Sequence, residues 1–319
     1  MFGIAPWSAG EALQIAEELA LHGLKATGAL PYYYASSDFL VCGQRRKADD
    51  MFNAYKELSI RIGQEQTFMA SIGIDAFQAL LGGKLVESVD LLDRIISISQ
   101  ESDVQGTAYN NVILYGLRLV IYLGITSEYS DRSLWKLVPE NMNSRIFRYV
   151  PLYKAYQGLI DEVNEMLERM LERRPNITTR EDLTHAWLDV AYLESAVIAG
   201  HRRATELLLD RFKDNTLATT GNYWSTCVAR HLGAAAALLE RYDEAREYYK
   251  EAIRVCTEMK FRPELALTRL QLAELILDQY PDEKKEALEH LDFAINEFRE
   301  MKMQPSLERA LRRKDILKA

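Results

Sequence analysis

Cysteine is scarce in this chain. Cys42, Cys227 and Cys256 are the three among 319 residues, and no two are close in sequence. An odd, scattered set argues against both a disulfide framework and a zinc site, and reads as reduced, buried thiols of a cytosolic protein. Helix breakers are few as well, with 8 Pro and 16 Gly, which leaves long stretches free to stay helical. Positive charge is in deficit: the formal net charge is −8 and the pI about 5.4. A general nucleic-acid binder needs the opposite balance, because phosphate neutralisation supplies its affinity, so no direct nucleic-acid binding is expected. No stretch is long and apolar enough for a membrane span. The opening MFGIAPWSAGEALQIAEE has no basic region and turns acidic at once, so it is not read as a signal peptide, and a cytoplasmic location is expected.

The motifs of common chemistries are also missing. The five histidines, His22, His185, His201, His231 and His290, form no i, i+4 ligand pair, and HExxH is absent. Each is expected at a helix end or in solvent. Gly82-Gly83-Lys84 lacks the first glycine and the Ser or Thr of a phosphate-binding GxxxxGK[ST] loop and reads as a turn. Carboxylates such as Glu165, Glu168 and Glu172 sit beside arginines at helical spacing, the pattern of a solvated ion-pair ladder. No catalytic residues, metal or cofactor are therefore expected.

What the chain does have is helical periodicity nearly throughout. Ser8–Lys25 carries Ala12, Ile15, Ala16 and Leu19 on one stripe. Paired segments follow: Pro31–Cys42 with Lys47–Gly63, Thr67–Leu81 with Val86–Ser99, and Val104–Leu123 with a short Ser130–Val138. Then come Ser144–Tyr156 with Asp161–Arg174, Asp182–Ala199 with Arg202–Lys213, Tyr223–Glu240 with Asp243–Met259, and Pro263–Gln279 with Lys284–Met301. Pro305–Leu317 is last. That makes roughly fifteen helices, and nothing reads as a strand.

In Ala229–Thr257 the stripes are clearest. Leu232-Gly233 leads, Ala235 and Ala236 follow, a polar break falls at Glu240-Arg241-Tyr242, and Ala245, Tyr249 and Ala252 recur at helical spacing. Two helices can approach closely only where the side chains between them are small. The small residue opening the second helix of each pair recurs at Ala12, Ala48, Ser88, Val163, Ala204, Ala245 and Ala287, at gaps of 36, 40, 75, 41, 41 and 42 residues. The long gap holds two repeats, the degenerate one near Ser130.

Leu232, Gly233, Ala245 and Tyr249 resemble the tetratricopeptide repeat family, although Ala229, Ala236 and Thr257 replace its common Trp, Tyr and Pro. Leu239–Ala245 (LERYDEA), Arg262–Leu275 (RPELALTRLQLAEL) and Met301–Ala310 (MKMQPSLERA) are similar to the C-terminal helical repeats of bacterial signalling ATPases, MalT-like activators of the LuxR type, and modules attached to class III cyclases. The resemblance implies an all-α, right-handed superhelical solenoid of antiparallel helix pairs. Residues 1–319 would form one such domain, as the C-terminal part of a larger protein, with 304–319 as a capping helix. It implies a non-enzymatic binding and regulatory arm that takes a protein, a peptide or a small effector in its concave groove. The alternatives are a free-standing peptide receptor or adaptor and, in another class, an α/α-toroid glycosidase or lyase. The family's concave positions transfer to Tyr33, Tyr115, Tyr122, Arg145, Arg148, Asp189 and Arg230. Of the consecutive tyrosines Tyr32, Tyr33 and Tyr34, at least one must face a groove or an interface. The tryptophans Trp7, Trp135, Trp187 and Trp224 are read as packing residues.

Overall fold

The computed structural model describes residues 5–23, 28–101, 105–141, 149–222 and 225–316. Among them are sixteen α-helices and no β-strand. In chain order these are α1 (Ala9–Gly23), α2 (Leu30–Val41), α3 (Arg45–Ile62), α4 (Glu65–Leu81), α5 (Leu85–Glu101), α6 (Gln105–Leu123), α7 (Ser133–Asn141) and α8 (Val150–Tyr156). They continue with α9 (Ile160–Arg173), α10 (Ala186–Ala199), α11 (Arg202–Arg211), α12 (Val228–Leu238), α13 (Tyr242–Glu258), α14 (Arg262–Gln279), α15 (Lys284–Glu300) and α16 (Gln304–Ile316). Successive helices pack on one another as hairpins, most extensively α14 on α15, α1 on α2, α12 on α13 and α2 on α3. None is long and apolar enough to cross a membrane, among the described residues.

The recurring small residues all lie inside. Ala12 is 1% exposed, and Ala48, Ser88, Val163, Ala204, Ala245 and Ala287 are 0% exposed. The degenerate repeat differs: Ser130 lies in the turn before α7 and is exposed, its Oγ bonded to the Ser127 carbonyl, and Leu134 and Trp135 are buried there instead.

Seven of the turns share one backbone geometry. Gly43, Gly83, Gly158, Gly200, Glu240, Lys260 and Lys302 have positive φ, and each stands two residues before the next helix. The amide that follows each bonds a carbonyl five residues back: Gln44 to Phe39, Lys84 to Ala79, Leu159 to Lys154, His201 to Ala196, Arg241 to Ala236, Phe261 to Cys256 and Met303 to Phe298, at 2.8–3.1 Å. This is the Schellman closure, which satisfies carbonyls that a helix end leaves open. Glycine adopts the left-handed conformation without strain, and Glu240, Lys260 and Lys302 adopt it at some cost.

Ion pairs link neighbouring repeats at a similar period. Arg203 pairs with Glu168, Arg241 with Glu206, Arg246 with Glu283, Arg262 with Glu297, and Arg309 with Glu274, with sequence separations of 35, 35, 37, 35 and 35.

Distant parts of the chain also meet. Arg45 donates to the Met259 carbonyl at 2.8 Å. A Cβ on Gly83 would lie 2.6 Å from Met301 Sδ, and one on Gly124 3.2 Å from Pro305. Helix α6 packs against α4, α5, α7 and α16. Residues 115–123 of α6 are all buried, so this stretch of the helix is enclosed by its neighbours.

Two long connections depart from the predicted helices. Residues 182–185 precede α10 rather than belonging to it, because the Asp182 carboxylate takes the Thr184 amide at 2.9 Å and the Arg174 Nε at 2.7 Å. Residues 218–222 and 225–227 form a buried hook before α12. There the Ala218 amide bonds the Val41 carbonyl at 2.8 Å and Thr219 Oγ1 bonds the Leu40 carbonyl at 2.8 Å. Backbone bonds to α2 thus replace the first helical turn. In α16, Ala310 is buried, with Leu307 and Leu311 beside it, while Leu317 lies outside the described residues.

Candidate functional site

Alternate helices turn polar side chains toward one interior point. Helix α6 supplies Arg118 and Tyr122, α8 Tyr156, α10 Glu194, α12 Arg230 and His231, and α14 Glu264. The Glu264 carboxylate accepts five bonds: Tyr122 OH (2.6 Å) and Arg230 Nη2 (3.1 Å) on Oε1, and Thr226 Oγ1 (2.6 Å), the Cys227 amide (3.0 Å) and Arg230 Nε (2.7 Å) on Oε2. Glu194 accepts from Arg118 Nη1 on both oxygens at 3.1 Å and from Tyr156 OH at 2.7 Å. Arg230 Nη2 lies 3.7 Å from Glu194, so this guanidinium ties the two carboxylates together. All the members are buried except Tyr156, which is 40% exposed as a residue.

The electrostatics follow from burial and balance. Burial by itself would raise the Glu194 carboxyl, but Arg118 above all, with Arg230, overcomes it and holds the group at about 2. Glu264 is held further down, burial again opposed chiefly by Arg230. Burial pushes His231 down to about 3, and the neighbouring Arg230 charge adds to this. The imidazole is therefore neutral, and its Nε2 accepts from Arg230 Nη2 at 3.1 Å. Two cations face two anions around a neutral histidine, an arrangement that fixes helix positions rather than leaving a charge available for chemistry.

This network carries a pH prediction. His231 has a folded pKa below its unfolded value, so the unfolded chain takes up the proton first. Stability should fall as pH drops from about 6.5 toward 3, by on the order of 1 kcal/mol per pH unit. Glu194 adds a further loss between about 4.5 and 2. Burial raises the Asp38 carboxyl to about 7, so Asp38 contributes with the opposite sign and masks part of the effect. The measurement is therefore urea denaturation against pH in Asp38→Asn, where the acid slope should appear, and in Asp38→Asn/His231→Gln, where it should shrink.

The sequence-derived positions divide clearly. Tyr122 and Arg230 belong to the network. Tyr115 is buried and its hydroxyl lies 3.2 Å from that of half-buried Tyr33. Asp189 is fully buried between Arg174 Nη1 (2.7 Å) and Arg211 Nε (2.5 Å). Arg145 and Arg148 lie outside the described residues, as does Trp224. Tyr115, Tyr122, Asp189 and Arg230 are thus buried and bonded within the chain and offer no open surface. Tyr32 is buried, while Tyr33 and Tyr34 are half-buried.

Sequence reading missed Arg118, Glu194, Glu264 and His231. Arg118 had left a signal, as the lone charge in the apolar run Val112–Leu123. His231, expected at a helix end or in solvent, is buried by the turn of α12 that carries Arg230.

A second feature lies on the surface. The segment between α9 and α10 is held by Arg211, whose guanidinium donates to the carbonyls of Ile177 (2.8 Å), Asp182 (2.7 Å) and Thr184 (2.9 Å) while its face stacks on Trp7 at 4.7 Å. This segment borders a depression of about 690 Å³ lined by Arg173, Glu181, Leu183, His185, Leu188 and Tyr192, among others. Leu183 is 73% exposed there. Ordered loops of this length usually carry function. No family model matches the sequence, and no curated protein is significantly similar to it.

Proposed function

We propose that the chain is a tetratricopeptide-like array, wound as a right-handed superhelix whose hollow α6 occupies. It serves as a non-enzymatic binding and regulatory arm in a cytoplasmic bacterial signalling or transcription-regulating protein. The observation that carries this reading is the repetition itself. Buried small residues return mostly every 36–42 residues, a left-handed residue closes the same turn at Gly43, Gly83, Gly158, Gly200 and Glu240, and ion pairs tie residues 35–37 apart from one repeat to the next. Stacked repeats make extended, rigid surfaces suited to holding a partner. With the interior occupied by α6, the partner or small effector is placed on the outer depression beside Leu183, Leu188 and Tyr192, which offers apolar contact rimmed by Arg173 and Glu181. The toroid-enzyme reading needs carboxylates at an open cleft, whereas Glu194 and Glu264 are engaged internally. A free-standing adaptor of the same fold would use the same surface.

A thermal-shift screen of sugars, nucleotides and peptides tests this, since a ligand that binds the folded state raises its melting temperature. The expected result is a stabilising ligand whose effect is lost in Leu183→Asp, with the ligand-free melting temperature within about 1 °C of the parent. Equal stabilisation of both proteins would place the site elsewhere. Turnover of the ligand would overturn the non-enzymatic reading.

A further inference from the structure

On the outer depression, the segment between α9 and α10 is held in place before any partner arrives. Arg211 binds the carbonyls of Ile177, Asp182 and Thr184, and the Asp182 carboxylate takes the Thr184 amide. A wall fixed in this way lowers the ordering cost of binding. Leu183 stands on it 73% exposed, beside the nearly covered Leu188.

The charged groups of the wall divide by sign. Its acids are engaged within the chain. Glu181 accepts from Asn176 Nδ2 at 2.9 Å, and Asp182 accepts from Arg174 Nε at 2.7 Å and from the Thr184 amide at 2.9 Å. Its arginines retain unused donors. Arg173, the last residue of α9, is exposed and has no hydrogen-bond or ion-pair partner among the described residues. Arg174 gives Nε to Asp182 and Nη1 to Asp189, but its Nη2 is covered and has no acceptor. A covered donor without an acceptor is costly, and such groups are normally met by a partner atom. In a chain of net charge −8, two adjacent guanidinium groups with donors to offer are locally distinctive.

We infer that the depression takes a peptide segment in which an acidic residue adjoins an apolar one. The carboxylate pairs with Arg173 and Arg174 Nη2, and the apolar side chain lies on Leu183 and Leu188. This rests on the reading above that the outer depression is the binding surface, and adds the chemistry of its occupant. The carboxylate follows from the donors, because a guanidinium makes its strongest hydrogen bonds to an anionic oxygen. The apolar neighbour follows from Leu183, whose covering removes apolar surface from water.

Fluorescence polarisation on the intact chain, at physiological ionic strength, tests this with three labelled octapeptides that alternate leucine with glutamate, glutamine or lysine. The Leu–Glu peptide should bind about tenfold more tightly than the Leu–Gln peptide, the factor that a charge-assisted bond adds. Arg173→Gln should remove that preference, and Arg173→Glu should turn it toward the Leu–Lys peptide. Both variants should melt within about 1 °C of the parent, since the side chain is exposed. Leu183→Asp should weaken binding of all three peptides. Equal binding of the Leu–Glu and Leu–Gln peptides, or a preference that survives Arg173→Gln, overturns the acidic partner. If Leu183→Asp still abolishes binding in that case, the surface reading stands without it. Binding that survives Leu183→Asp places the peptide elsewhere and overturns both. Failure of all three peptides to bind overturns the peptide inference, and the thermal-shift screen then decides the surface reading by itself.

Discussion

Glu264→Ala is expected to cost about 3–5 kcal/mol of stability, the range for removing one partner of a buried, hydrogen-bonded charge pair. The loss arises less from the bonds themselves than from what remains. Arg230 would keep its charge in an interior where Glu194, at 3.7 Å, is its other carboxylate. The Tyr122 hydroxyl, the Thr226 hydroxyl and the Cys227 amide would each lose an acceptor. Glu264→Gln should also be damaging, since five donors converge on the carboxylate and an amide nitrogen would have to face at least one of them. Arg230→Met/Glu264→Leu should be less harmful than Glu264→Ala, because removing both charges leaves neither stranded. Chemical denaturation of the three variants decides the matter. If Glu264→Ala unfolds at the parent's denaturant concentration, the network does not hold α6, α12 and α14 together.

Ala245→Trp should cost on the order of 1–3 kcal/mol or more through overpacking. Ala245 is fully buried at the start of α13, where this helix lies against α12. The hairpin is already tight: a Cβ added at Gly233 on α12 would come within 2.7 Å of the Tyr249 ring on α13. An indole at position 245 can be accommodated only by pushing the two helices apart, and the ion pair between Arg241 and Glu206 of the preceding repeat would shift with them. Ala245→Ser should be mild, since Ser88 occupies the corresponding position of α5, buried, with its hydroxyl bonded to the Ala76 carbonyl at 2.7 Å. Thermal melts that leave Ala245→Trp unchanged would mean that the helices make their close approach elsewhere.

The repeated part of the fold was legible because helices announce themselves locally. Apolar residues at helical spacing fixed the helix positions, and the seven small residues from Ala12 to Ala287 proved buried, whereas Ser130 of the degenerate repeat did not. The turns were legible only as breaks. Glycine marks a left-handed residue at Gly43, Gly83, Gly158 and Gly200, but Glu240, Lys260 and Lys302 adopt the same conformation without a compositional sign. The hook was misread as the first turn of α12 because its extended form depends on carbonyls of α2, far away in sequence.

By itself, then, the sequence determined that the chain is helical, where nearly every helix lies and which residue each hairpin closes on, since all of these depend on contacts within about 40 residues. Which polar side chains are drawn into the interior depended on contacts between residues far apart. Arg118 and Tyr122 meet Glu194 and Glu264 across separations of 76 and 142 residues, and Arg45 reaches Met259 across 214. Periodicity carries no information about such distances, so an arginine that serves as an internal strut reads the same as one waiting for a ligand. The tertiary structure decided between them at Arg230 by bringing Glu264 to within 2.7 Å, which turned a candidate binding residue into part of the core.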